Sequence, residues 1–517
     1  MRPLHPGGGS ATPPPAPPPA PPSGPDGDGR RGKGWMVVVA MVILAVIATP
    51  VALLAAFADG DEPEASAPLP TSDPSTASVP DAATTQPADP TPPAATETPG
   101  NPLDDLLGDQ DFDDLLGSDV LAQCLAPPGS TPSLQGSPIP DDPAEAIDTI
   151  ADQVAEVRGL EFSTPVELDL LTSAELAERI VVVSEEDYVV AESDLDDAIL
   201  TTLGQLDDDQ DLRQVYFDLL GEQVAGFYDQ ETGELVAESE DELAPDDLVI
   251  VAHELDHALT DQALGLPDFE GMEDDVDGLI ARQGLVEGDA TALMQQWALA
   301  NLSLFDLAAL GTTPIDTAQL DAAPWVLQAQ LLYPYEAGLE FVCQLYVDGG
   351  WAAVDAAYDD LPTTSAQVLF PERYLAGEGA VDVAEVTTSE SGWEEVRATT
   401  WGAAELLWLI EAPGNDLSRG PSDARERVAD WAGGRQTTWQ RDDDTMVSLD
   451  LAQRSGGDLC TTMQDWIESA WPDAEVDSSD SPTVWTTSTT AVALSCDGDS
   501  VRAVVGPDVA AVTSVAN

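Results

Sequence analysis

At 517 residues the chain is long enough for two or three domains, and a 43% hydrophobic content supplies material for one sizeable core. Its formal net charge of −80, from 97 Asp+Glu against 17 Lys+Arg, repels nucleic-acid phosphates and excludes DNA or RNA as a partner. The charge fits the solvated acidic surface of an exported or salt-adapted protein, because acidic runs such as Asp207-Asp208-Asp209 and Asp442-Asp443-Asp444 do not match the D-x-[DN]-x-[DN]-G calcium loop with its trailing Glu.

Residues 1–34 are dominated by Pro, Gly and Ala and are expected to be a disordered tail. Residues 35–58 carry no charge, and as a helix they would run about 36 Å, enough to cross a bilayer. Arg30, Arg31 and Lys33 precede this run and acidic residues follow it. The positive-inside rule then puts the N-terminus in the cytoplasm and everything after Ala58 outside the cytoplasmic membrane, anchored by a single pass. Cleavage after Ala56-Phe57-Ala58 is the rival reading, and it exports the rest of the chain equally. Residues 59–140 form a Pro/Thr/Asp-rich stalk and linker, in which Asp104-Asp105-Leu106-Leu107-Gly108 recurs as Asp113-Asp114-Leu115-Leu116-Gly117.

The folded domain is expected over 141–474. Helical periodicity marks 142–157, 196–224, 246–263, 279–305 and 338–359. Strand-like runs are Ile180–Val183, Glu234–Ala237 after a turn, and Thr489–Leu494 with Arg502–Val505 around Asp497-Gly498. Helices dominate without regular alternation, which is an α+β pattern, and residues 475–517 are expected to be a small C-terminal β hairpin region. All four cysteines lie on the exported side, so two disulfides are expected. Of the three possible pairings, the local loop between Cys460 and Cys496 favours that pair with Cys124–Cys343.

The segment that carries chemistry is His253-Glu254-Leu255-Asp256-His257. Pro245, Asp246 and Asp247 make a helix start, and Gly265 with Pro267 a stop. On that helix His253 and His257 project from one face and can bind one zinc ion. Glu254 lies about 100° around, placed to take a proton from a water that zinc activates without being a ligand itself. These two are the only histidines after His5, so the third ligand must be a carboxylate. Glu287, thirty residues beyond His257 (287 − 257), is the leading candidate, and Asp274, Asp275 and Asp277 are the others. Glu287 and Asp289 sit about 200° apart on a helix, so Asp289 is assigned to orient a histidine rather than to bind metal. For the developing oxyanion, Tyr335 is the first candidate donor, with Tyr374 and Arg373 behind it.

With these residues the chain resembles the gluzincins, the thermolysin-like class in which H-E-x-x-H on one helix is joined by a Glu on the next. More closely it is similar to a group of uncharacterised bacterial exported or anchored zinc metallopeptidases. The shared phrases are Gly226-Phe-Tyr-Asp-x-Glu-Thr-Gly-Glu234, the His253–Gln262 helix, Gly284-Leu-Val-Glu287-Gly-Asp289-Ala, Pro334-Tyr335-Glu336-Ala-Gly338 and Val368-Leu-Phe-Pro371-Glu-Arg-Tyr374. The chain departs from the class at Asp256, where an uncharged residue is preferred, and at Thr291, where thermolysin-like enzymes carry Asp. The resemblance implies a zincin-like metallopeptidase domain, mainly helical with a small sheet, behind the transmembrane helix and stalk. It also implies that Glu234–Ala237 is an edge strand to which a peptide substrate adds. The expected activity is zinc-dependent hydrolysis of a peptide or protein substrate with Glu254 as general base. The alternative from a different class is a non-catalytic envelope binding or structural domain on the same scaffold.

Overall fold

The computed structural model describes residues 119–125 and 135–515, apart from 141, 173, 177, 181–189, 208–209, 216–218, 220–225, 231, 239–242, 270, 311–317 and 480. In chain order the helices that build the site are α1 (Asp119–Leu125), α2 (Pro143–Arg158), α3 (Pro245–Ala263), α4 (Val276–Asn301), α5 (Trp325–Gly349), α6 (Trp351–Asp359) and α7 (Ser365–Leu369). They are followed by α8 (Ala403–Glu411), α9 (Leu459–Ala470) and α10 (Val509–Val515). The strands are β1 (Glu167–Leu171), β2 (Gly226–Asp229), β3 (Glu234–Glu238), β4 (Glu394–Thr400), β5 (Trp431–Arg441), β6 (Asp444–Gln453), β7 (Glu475–Asp477), β8 (Thr483–Thr486), β9 (Ala491–Asp497) and β10 (Ser500–Gly506).

Helix α4 is the centre of the helical layer. From Asp277 to Leu299 every residue except Arg282 is buried, so this helix is surrounded by protein rather than amphipathic. It returns beside α3, itself buried from Leu248 to Thr260, and packs along α5. The α4–α5 crossing is tight because it is made of glycines. A Cβ on Gly288 would collide with the Gly338 carbonyl, and one on Gly338 with the Gly284 carbonyl. Bare backbone therefore brings the turn carrying Glu287 against the turn that follows Tyr335. The Cys124–Cys343 disulfide fastens α1 to α5, and Cys460–Cys496 ties α9 to β9, the pairing favoured by the local-loop argument.

Two sheets complete the described fold. The smaller has the order β1-β3-β2, with β1 parallel and β2 antiparallel to β3. The larger has seven strands in the order β4-β5-β6-β10-β9-β8-β7, all neighbours antiparallel. Both faces of the larger sheet are covered. Val447, Leu449 and Leu451 of β6 join the main core with Met463 and Trp466 of α9, while Met446 joins a second core with Val512 and Val515 of α10.

The expected fold class is therefore corrected. A mainly helical, zincin-like domain with one small sheet does not describe a chain that mixes its helices with a seven-stranded sheet. Nor, among the described residues, is any helix long and apolar enough to cross a membrane. The expected tail, the anchor at 35–58 and most of the 59–140 stalk lie outside the described residues. The sheet escaped the sequence reading for a physical reason. Strand β5 buries Gln436, Thr437, Thr438 and Trp439 in succession, so burial on both faces erases the period-two signal. The acidic run at Asp442–Asp444 is the β5–β6 hairpin turn, with Asp442 at φ 52°. Likewise the β9–β10 hairpin turns at Gly498, but it is the middle of the large sheet rather than an appendage. Of the helices, the 338–359 periodicity divides into α5 and α6 at Gly350 (φ 66°), and the described part of the 196–224 run holds the end of a helix over Val190–Thr202 and further helical residues at 212–215 and 219. Ile180 is helical, and 181–183 fall outside the described residues.

If the bare α4–α5 crossing is what holds the two helices together, Gly288→Ala should destabilise the protein by about 1–3 kcal/mol, as overpacking does. Calorimetry reads this as a lowered Tm, and an unchanged Tm would contradict the packing account.

Candidate metal centre

Helix α3 begins and ends where its sequence signals place it. Pro245 opens the first turn, Asp247 Oδ2 accepts from the Ala244 N–H at 2.8 Å, and Gly265 at φ 84° lies just past the end. The i, i+4 spacing then points both imidazoles at α4. His253 Nε2 and His257 Nε2 lie 3.0 Å apart, and Glu287 Oε2 is 3.2 Å from the first and 3.5 Å from the second. Among the described residues this is the one group of His, Cys, Asp and Glu whose donor atoms converge in a way that could hold a metal ion.

The donor set fits a tetrahedral ion. Ligands at about 2.05 Å from a tetrahedral centre stand about 3.3 Å from one another, and the three observed separations bracket that value. Orphaned atoms point the same way: Glu287 Oε1 and Glu254 Oε1 are buried without a hydrogen-bond partner. Two imidazoles and a carboxylate therefore make a buried group that could bind a metal ion.

Electrostatics bind the group together. Burial alone would raise the Glu287 pKa, but the adjacent imidazoles outweigh it and hold the carboxyl at about 2. Burial alone would lower His257, but the Glu287 carboxylate outweighs it and raises the imidazole to about 9. His253 is lowered, chiefly by burial. Glu254 is raised to about 8, again chiefly by burial, against the opposing effects of His257 and a hydrogen bond from the Tyr228 main-chain N–H. These shifts favour a protonated His257 facing an ionised Glu287 at neutral pH, and burial likewise favours the protonated form of Glu254.

The remaining expected residues separate clearly. Asp289 does not orient a histidine: its Oδ2 accepts from Arg158 Nη2 at 3.0 Å and from Tyr358 Oη at 2.9 Å. Asp275 caps α4, and Asp277 accepts from the Ser365 N–H at 2.7 Å, so neither competes with Glu287 for a metal. Tyr335 lies inside α5, buried, with its ring centroid 6.2 Å from that of His253. The other two candidate oxyanion donors are engaged elsewhere. Tyr374 donates to the Asp360 carbonyl at 2.8 Å, and Arg373 to the Trp431 carbonyl at 2.9 Å. The strand bordering Glu254 is β2, an edge of the small sheet among the described residues, whereas Glu234–Ala237 lies in β3 at its centre. Sequence reasoning missed Arg158, Tyr228 and Tyr358 as neighbours of the site. Arg158 alone had a local signal, as a lone cation ending an otherwise acidic amphipathic helix.

Compared with protein-family models, curated proteins and solved structures, the chain matches none.

Because a metal must displace the proton on His257, its uptake releases a proton and its affinity depends on pH. The sign follows from the raised pKa: below about 9 the proton competes, so apparent affinity should climb about tenfold per pH unit and level off above that value. Chelator-competition titrations from pH 6 to pH 9 check this, and a pH-independent affinity would show that His257 carries no proton for the metal to displace in that range.

Proposed function

We propose that the chain is a zinc-dependent metallopeptidase with a gluzincin-type ligand set, His253, His257 and Glu287. The observation that carries the reading is the convergence of two imidazole nitrogens and one carboxylate oxygen, with a separate buried glutamate, Glu254, on the same helix. Nitrogen and oxygen donors at tetrahedral spacing favour zinc over magnesium or calcium, which prefer all-oxygen shells. A zinc ion held there supplies Lewis acidity, drawing the pKa of a water toward neutrality and polarising the scissile carbonyl.

The chain's own groups account for the remaining steps. Glu254 Oε1 has no partner, so it is free to accept the proton of the attacking water and to pass it to the leaving amine nitrogen. Burial raises its affinity for a proton, and a cation held by the three ligands would lower it again, leaving a carboxylate able to accept the proton and then release it. The Tyr228 N–H on β2 fixes the same carboxyl group. Tyr335, beside His253, is the residue proposed to donate to the oxyanion. Two disulfides support an oxidising location outside the cytoplasm, where the substrate would be a peptide or protein.

A second reading, metal-bound but without catalysis, draws on burial: His253, Glu254, His257 and Glu287 are each no more than 3% exposed, as in closed structural sites. Glu254→Gln separates the two readings. For the enzyme, turnover of a peptide library should fall by about 10²–10⁴-fold with zinc retained. Equal turnover in both proteins, or none in either, would favour the second reading.

A further inference from the structure

Arg158, the last residue of α2, is buried to 1% although it carries a charge. Its guanidinium lies 4.6 Å over the Trp351 ring and spreads to three carboxylates on three helices. Nη2 is 3.0 Å from Asp289 Oδ2 on α4, Nη1 is 2.5 Å from Asp355 Oδ1 on α6, and Nε is 3.9 Å from Asp256 Oδ1 on α3. The side chains of Asp256 and Asp289 are themselves no more than 1% exposed.

The positions of these two aspartates decide what the cluster does. Asp256 immediately precedes His257, and Asp289 follows Glu287 by two residues. One cation therefore lies between the two metal helices, hydrogen-bonded to Asp289 on α4 and within 3.9 Å of Asp256, the residue before His257 on α3. It also accounts for the charged residue inside the H-E-x-x-H pentapeptide, since Asp256 faces Arg158 rather than the ligand cluster. Without Arg158, the buried carboxyl groups of Asp256 on α3 and Asp289 on α4 would lose the one guanidinium that lies between them. Trp351 and the Tyr358 hydroxyl, which donates to Asp289 Oδ2 at 2.9 Å, hold the far side of the clamp.

We propose that Arg158 is a positioning residue for the metal centre, setting the separation of His257 and Glu287 by clamping Asp256 and Asp289. The proposal rests on the metal-site reading above and goes beyond it, because it predicts a sign that charge alone would reverse. A cation near a metal site repels the metal, so if charge were its only contribution, removing Arg158 would tighten binding. If it positions the ligands, removing it loosens binding.

The test is zinc affinity by chelator competition on the full chain, wild type against Arg158→Met and Arg158→Lys, with the visible spectrum of the cobalt-substituted proteins as a readout of coordination. The expected result is binding about 10–100-fold weaker in Arg158→Met, partial recovery in Arg158→Lys, and a cobalt spectrum altered in Arg158→Met. A folded Arg158→Met protein that binds zinc as tightly as wild type, or more tightly, overturns the proposal and leaves the metal site standing. Wild-type protein that binds no zinc overturns both. Should Arg158→Met not fold, Arg158→Lys decides alone: weaker binding supports the clamp, and unchanged affinity with an unchanged cobalt spectrum overturns it.

Discussion

Two imidazoles, two glutamates, two aspartates and an arginine are buried together between α2, α3 and α4, and the arrangement there depends on how those charges are compensated. A buried charge without a partner costs several kcal/mol, so each group must be paired, protonated or bound to a cation. The chain solves this on two sides of α3. On one, Glu287 sits between His253 and His257, held ionised by them while it holds His257 protonated. On the other, Arg158 sits among Asp256, Asp289 and Asp355. A divalent ion would take the place of the His257 proton on the first side, which is how the metal-free electrostatics become a metal site without rebuilding the core.

The rest of the fold serves the placement of α4. Glycines at 288 and 338 let α5 approach its backbone, and Tyr335 on α5 lies beside His253. Disulfide Cys124–Cys343 fastens α1 to the same helix, and the Gln296 amide donates to the Cys124 carbonyl at 2.8 Å, so the segment entering the domain is fixed to both α4 and α5. At its N-terminal end α4 is bolted by Asp277, which accepts from the Ser365 main chain and hydroxyl, and by Thr400 Oγ1, which accepts from the Asp277 N–H at 3.0 Å. Through Thr400, on β4, the large sheet is connected to the helix that bears Glu287.

The ligand helix was legible because its information is local. Pro245, Asp247 and Gly265 delimit α3 within one segment, and the i, i+4 histidines need no long-range knowledge to share a face. Glu287 was reachable by elimination, since the sequence offers no further histidine. What resisted was non-local. Arg158 meets Asp289 across 131 positions, and Tyr358 meets it across 69, so neither spacing carries a periodic signal. The large sheet resisted for a different reason, because strands covered on both faces bury Thr, Gln and Trp together and lose alternation. The helical periodicity is legible only from residue 338, whereas α5 begins at Trp325 and continues through Pro334.

The central claim is that His253, His257 and Glu287 hold one zinc ion, and X-ray absorption at the zinc edge of the zinc-loaded full chain tests it most directly. The account predicts one ion per chain in a shell of light donors only, with outer-shell scattering from two imidazoles that falls to one in His257→Ala. Zinc bound in a shell without imidazole scattering, or a well-folded chain that takes up no zinc, would contradict it.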